Sequence, residues 1–133
     1  MASVWLRWLL RAGAVYFVCV SAAHWAGAKV PGLFIYYSIP SYAYQDRGIG
    51  TLAIGWAAFL FAASRQFSII PGVLAAGTAG LLGFSLINLS GEMRALASPH
   101  DLRMFWIEIL ALAMYVAWVA VLAGMAGQQG QRS

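Results

Sequence analysis

The chain has 133 residues, of which 62% are apolar and only 9% charged, against roughly 45–50% and about 25% in an ordinary soluble domain. So few charges cannot cover the surface of a water-soluble fold of this length, and with no second compositional block a single domain over residues 1–133 is expected. The formal charge of +4 does not point to nucleic acid, because the 8 basic residues stand singly and punctuate apolar stretches.

Backbone groups cannot be left unpaired in lipid, so a crossing needs a helix of about 20 mostly apolar residues. Stretches at about 4–28, 42–64, 70–90 and 99–126 qualify, which predicts an all-α, integral membrane four-helix bundle. In the first stretch Arg7 and Arg11 lie four apart, where they meet anionic headgroups or snorkel as anchors. A competing reading is a cleaved signal peptide ending at Ala26-Gly27-Ala28. Apolar residues that begin at Val4, before the arginines, favour a spanning helix instead. Cys19, the only cysteine, sits in an apolar run and packs as a small hydrophobe.

Between the first and second stretches, Pro31 and Pro40 bracket Leu33, Phe34, Ile35, Tyr36 and Tyr37. This segment is too short to span and too apolar to float in water. With Tyr42 and Tyr44 it reads as an aromatic interfacial segment lying on the membrane surface, or as a lid over a pocket. Pro40-Ser41 opens the second helix and places Asp46 and Arg47 in its first turns, the carboxylate favoured by the helix dipole.

The link near Arg65 to Ser68 is short, so the second and third helices should form a tight antiparallel hairpin. Small residues recur along the third helix (Gly72, Ala76, Ala79, Gly80, Gly83) and the fourth (Ala113, Ala117, Ala120, Gly124). Helices in lipid pack through such stripes, which here join the two helices to each other or the chain to a partner. Ser98-Pro99-His100-Asp101 supplies an N-cap hydroxyl, a proline at the first helical position and a carboxylate at the third.

One side of the membrane (side A) holds the N-terminus, the link between the second and third helices, and the C-terminus. It carries Arg7, Arg11, Arg65 and Arg132, and side B carries Lys29, Arg47, Arg94 and Arg103. The counts tie, and orientation leans only weakly to cytoplasmic termini in a multi-pass protein of the cell membrane. At about 1.5 Å per residue, His24 and Glu108 each lie roughly 7 Å inside side B, with Thr51 and Asn88 in the same layer. Asp101, Phe105, Glu108, Leu112 and Tyr115 share one helical face, and His24 shares another with Val20, Phe17 and Gly13. An intramembrane carboxylate costs about 2.5–3.5 kcal/mol at a helix centre and somewhat less near an interface, so Glu108 should face inward and have a partner.

Candidate ligand-binding residues are therefore His24, Tyr36, Tyr37, Tyr44, Asp46, Arg47, Thr51, Asn88, Asp101, Glu108 and Tyr115. Three readings compete: mutual hydrogen bonding that fixes the bundle, a site for a quinone, haem or lipid headgroup, and a proton or ion path. The third is weakened by the lack of ionisable residues continuing toward side A. His24 and His100 stand at different heights, neither a cysteine pair nor a histidine-rich zinc pattern occurs, and no nucleophile elbow or phosphate loop is found. No metal site or catalytic residue is assigned, and no cofactor is identified. The expected role is an accessory or scaffold subunit that associates with lipids, other membrane subunits or itself. The alternative is a ligand-binding protein or a membrane redox or lipid-modifying enzyme built on His24 and Glu108.

Overall fold

The computed structural model describes residues 1–130, with side chains to residue 128; Arg132, counted above with side A, lies outside the described residues. The elements are α1 (Ala2–Ala26), α2 (Ala43–Arg65), a 3-10 turn (Phe67–Ile69), α3 (Ile70–Leu89), α4 (Gly91–Leu96) and α5 (Pro99–Gly130). Four of these helices, α1, α2, α3 and α5, are long and apolar enough to cross a membrane. The all-α four-helix architecture expected from the sequence is thus present, with α4 and the 3-10 turn as short additions that periodicity did not announce.

Local chemistry explains the helix ends. α1 stops two residues earlier than expected because Gly27 turns left-handed at φ 65° and lets the Ala28 N–H return to the Ala23 carbonyl at 2.9 Å. α2 begins at Ala43, and its first turn is closed by Gln45, whose side chain accepts from the Tyr42 N–H at 3.2 Å. Ser41, expected to open this helix, instead donates its hydroxyl to Asp46 Oδ2 at 3.0 Å. α5 starts at Pro99 as expected, with the Ser98 hydroxyl accepting from the Asp101 N–H at 3.1 Å and donating to that residue's carboxylate at 2.6 Å.

α1 and α2 make the most extensive contact, α3 packs on α5, and α1 against α5 joins the two pairs. The core between them is formed by Leu6, Leu10, Ala14, Leu60, Ala63, Ile70, Val73 and Val119. Close approach depends on glycine at two crossings. A Cβ at Gly50 would meet the Trp25 ring at 2.7 Å, and one at Gly13 would collide with the Tyr115 hydroxyl.

One expectation about packing is corrected. The link between α2 and α3 is short, but the two helices touch little, because α3 turns to α5 for its packing. Of the small-residue stripes, Ala76, Gly80 and Ala113 are half-buried, and α3 approaches α5 at Gly77, where an added Cβ would lie 2.9 Å from Val116 Cγ2. Ala79 and Gly83 on α3, and Ala117, Ala120 and Gly124 on α5, face outward.

Exposed tryptophans stand at both ends, Trp5 and Trp8 near side A, Trp25 and Trp106 near side B. Near side A the guanidinium groups of Arg7, Arg11 and Arg65 lie 5.0 to 5.5 Å from the ring centroids of Phe67, Trp8 and Phe61. This suits cationic anchors at a headgroup boundary.

Candidate functional site

The residues that the sequence placed in one polar layer do not bond one another. Two of them, His24 and Glu108, hold the backbone of the segment between α1 and α2. Val30, Leu33 and Phe34 form a tight turn, with the Leu33 and Phe34 N–H groups donating to the Val30 carbonyl at 3.1 and 2.9 Å. A second turn runs from the Tyr36 carbonyl to the Ile39 N–H at 2.9 Å. Neither turn satisfies the N–H groups of Gly32 and Ile35, and a helix side chain reaches each. Glu108 Oε1 accepts from Gly32 at 3.0 Å, and His24 Nε2 accepts from Ile35 at 3.2 Å. The Tyr16 hydroxyl donates to the Gly32 carbonyl at 2.6 Å, and the Tyr37 hydroxyl donates to Asp101 Oδ1 at 3.1 Å.

The segment therefore folds back into the side B end of the bundle rather than lying flat on the surface. Phe34 is 2% exposed and stacks on His24 with centroids 4.0 Å apart. Tyr36 and Tyr37 meet the buried Phe105 ring edge to face at 4.9 and 5.7 Å. Tyr36 takes a left-handed φ of 57°, a conformation disfavoured for a bulky residue and held here by the packing around it. Its phenol is pushed up to about 12, first by burial and then by the Glu108 carboxylate. Tyr37 is also raised, by desolvation and by its hydrogen bond to Asp101.

His24 is 1% exposed. An imidazole that accepts at Nε2 is not the doubly protonated cation, so in this arrangement the ring is neutral with its proton on Nδ1. The same bond occupies the nitrogen that a haem iron would need, and Phe34 covers the ring, so ligation requires the segment to leave. His100 is exposed at the start of α5. Among the described residues, no three His, Cys, Asp or Glu side chains gather into a set that could hold a metal.

Asp46 and Asn88 are buried. The Asp46 Oδ2 accepts from the Ser41 hydroxyl, while its Oδ1 has no hydrogen-bond partner among the described residues. Both amide atoms of Asn88 are likewise without a partner.

Four expected site residues lie elsewhere. Thr51 is exposed and bonds its own helix at the Arg47 carbonyl, 2.9 Å away. Tyr44 is exposed and stacks on Tyr42 at 5.8 Å, as an interfacial residue would. Arg47 is exposed and lies 5.9 Å from the Trp25 ring. Tyr115 sits deeper, where its hydroxyl donates to the Leu9 carbonyl at 3.3 Å and ties α5 to α1.

Sequence reasoning missed Tyr16, Gly32 and Phe34. Tyr16 stands eight residues before His24 on α1, about 80° around the helix from it, so no common stripe links the two.

A groove opens between this segment and the start of α2, about 370 Å³ in volume. It is lined by Ile35, Tyr36, Ile39, Pro40, Ser41, Gln45, Asp46 and Ile49. No protein-family model, curated protein or solved structure matches this chain.

Proposed function

We propose that this chain is a small accessory or scaffold subunit of the cell membrane that acts by lateral association, with both termini in the cytoplasm. The observation that carries this reading is how unevenly the four spans are covered. In the most apolar window of each, 39% and 33% of residues are buried for α1 and α2, against 11% for α3 and 6% for α5. The outward face of α3 includes Ala79 and Gly83, small enough for another helix to approach closely. The polar side chains support the same reading, because Glu108, His24, Tyr16 and Asp101 are engaged in holding the chain's own backbone and its tyrosines.

The test is purification from native membranes in mild detergent, with partners identified by mass spectrometry and size by native electrophoresis. Replacing Ala79 and Gly83 together by leucine should release the partner or dissociate the oligomer while leaving thermal stability nearly unchanged. A protein that is monomeric and alone in both forms would refute the reading. Accessibility of single cysteines at each terminus to an impermeant thiol reagent tests the orientation.

A further inference from the structure

The groove beside α2 contains a group that the fold leaves unmatched. Asp46 is 7% exposed, so more than nine-tenths of it is buried, and only its Oδ2 is engaged, by the Ser41 hydroxyl at 3.0 Å. Its Oδ1 is buried and lacks a hydrogen-bond partner among the described residues. Tyr36 also lines the groove, and its hydroxyl is likewise buried without a partner among the described residues. His24 lies within electrostatic range of Asp46, but its neutral ring brings no positive charge. A buried carboxylate oxygen without a donor is costly, and Asp46 is one of the residues lining the groove, which brings a donor from outside the chain to its carboxylate.

The shape of the groove narrows what that donor is. Ile35, Ile39, Pro40 and Ile49 make most of its wall apolar, and among its polar groups Asp46 carries the one negative charge, while Ser41, Gln45 and Tyr36 are neutral. An anion is repelled by Asp46. A quaternary ammonium has no N–H to give, and one tyrosine is not an aromatic cage. A primary ammonium offers three donors and a full counter-charge. At the rim, Lys29 bonds the Ile39 carbonyl at 3.2 Å and places a cation beside the groove, suited to a phosphate that follows the ammonium. The groove lies at the side B boundary, next to the exposed Tyr42 and Tyr44, where lipid headgroups reside.

We propose that this groove binds the headgroup of an aminophospholipid, with the ammonium on Asp46 and the phosphate toward Lys29. The assignment is independent of the association role proposed above: a partnerless protein can hold the lipid, and a scaffold can lack it.

The full chain is reconstituted into nanodiscs of equal parts phosphatidylethanolamine, phosphatidylcholine and phosphatidylglycerol, re-extracted gently, and the retained lipid identified by native mass spectrometry. Phosphatidylethanolamine should be retained in preference to the other two. Asp46→Asn should reduce that retention about tenfold or more, the scale expected when a charge-assisted hydrogen bond is lost. Glu92→Gln, an exposed acid outside the groove, should leave it unchanged. If Asp46→Asn does not fold, Ile39→Trp fills the groove with the carboxylate intact and should abolish retention equally. Indiscriminate retention of the three lipids, or retention that survives both groove variants, overturns the proposal. In a second arm, soluble phosphoethanolamine is offered to the protein in phosphatidylcholine nanodiscs. Weak or no binding supports a lipid ligand, whereas binding as tight as that of the lipid overturns the lipid assignment in favour of a free zwitterion.

Discussion

Glu108 and Gly32 are 76 residues apart in sequence, and the carboxylate of one accepts the backbone N–H of the other at 3.0 Å. The bond joins the inner face of α5 to the tip of the segment between α1 and α2, and His24 does the same from α1 through Ile35. Two ionisable side chains, both unusual within spanning helices, thus supply acceptors to amide groups that the turns of the segment leave unpaired.

Replacement of Glu108 separates charge from acceptor. Glu108→Gln keeps an oxygen in place and should cost under about 1 kcal/mol, whereas Glu108→Leu strands the Gly32 N–H and should cost about 1–3 kcal/mol. Thermal unfolding in detergent reads the difference. Amide exchange across residues 30–37 should accelerate in the leucine variant only, and unchanged protection there would show that the carboxylate does not hold the segment.

The sequence made much of this legible, and its failures have physical causes. Counting the helical rise put His24 and Glu108 at one level, and both do reach the same segment, while spacing put Asp101, Phe105, Glu108 and Tyr115 on the inward face of α5. Depth does not give azimuth, however. The buried stripe of α2 runs through Asp46, Gly50, Ala53, Ala57 and Leu60, so Thr51 lies about 100° off it at the right height and faces outward. The partner of Glu108 was invisible for another reason: it is a backbone N–H, which every residue except proline carries and no side-chain pattern marks. The inward fold of the segment depends on left-handed Tyr36, a conformation that composition does not foretell.

The place of α1 in the core bears on the two readings of its sequence. Leu6, Leu10 and Ala14 pack with Leu60, Val73 and Val119, and His24 and Tyr16 hold the following segment. A chain cleaved after Ala28 would lose all of these. Intact-mass measurement of the membrane-extracted protein should therefore show α1 retained, and a mass beginning at Lys29 would establish the signal-peptide reading instead.

Tyr36 makes stability sensitive to alkali. Its phenol ionises at about 12 in the fold, above the ordinary value of 10.0, so the neutral form is favoured by folding. That contribution is fully present below pH 10 and is lost as pH rises from there through about 12. Tyr36→Phe keeps the ring against Phe105 and Phe84 and removes a buried hydroxyl without a partner, so at neutral pH in delipidating detergent it should be as stable as the parent or more so. Above pH 10 the variant should lose less stability than the parent. Parallel alkaline losses in the two proteins would remove Tyr36 as the source.

The contact of α1 with α5 can be tested by a double-mutant cycle at Gly13 and Tyr115. Gly13→Ala introduces a Cβ that collides with the Tyr115 hydroxyl, so the ring must shift and its bond to the Leu9 carbonyl is strained or broken. Tyr115→Phe removes the same bond directly and should cost about 1 kcal/mol. Because each change attacks one shared contact, the pair should cost less than the sum of the two, with a coupling on the order of 0.5 kcal/mol or more. The residual clash is with the ring itself, since an added Cβ would still stand 2.8 Å from Tyr115 Cζ, so the double variant should not return fully to parental stability. Additive losses would mean that Tyr115 swings away from Gly13 at little cost, and that the crossing of α1 and α5 is set by Leu6, Leu10 and Val119 instead.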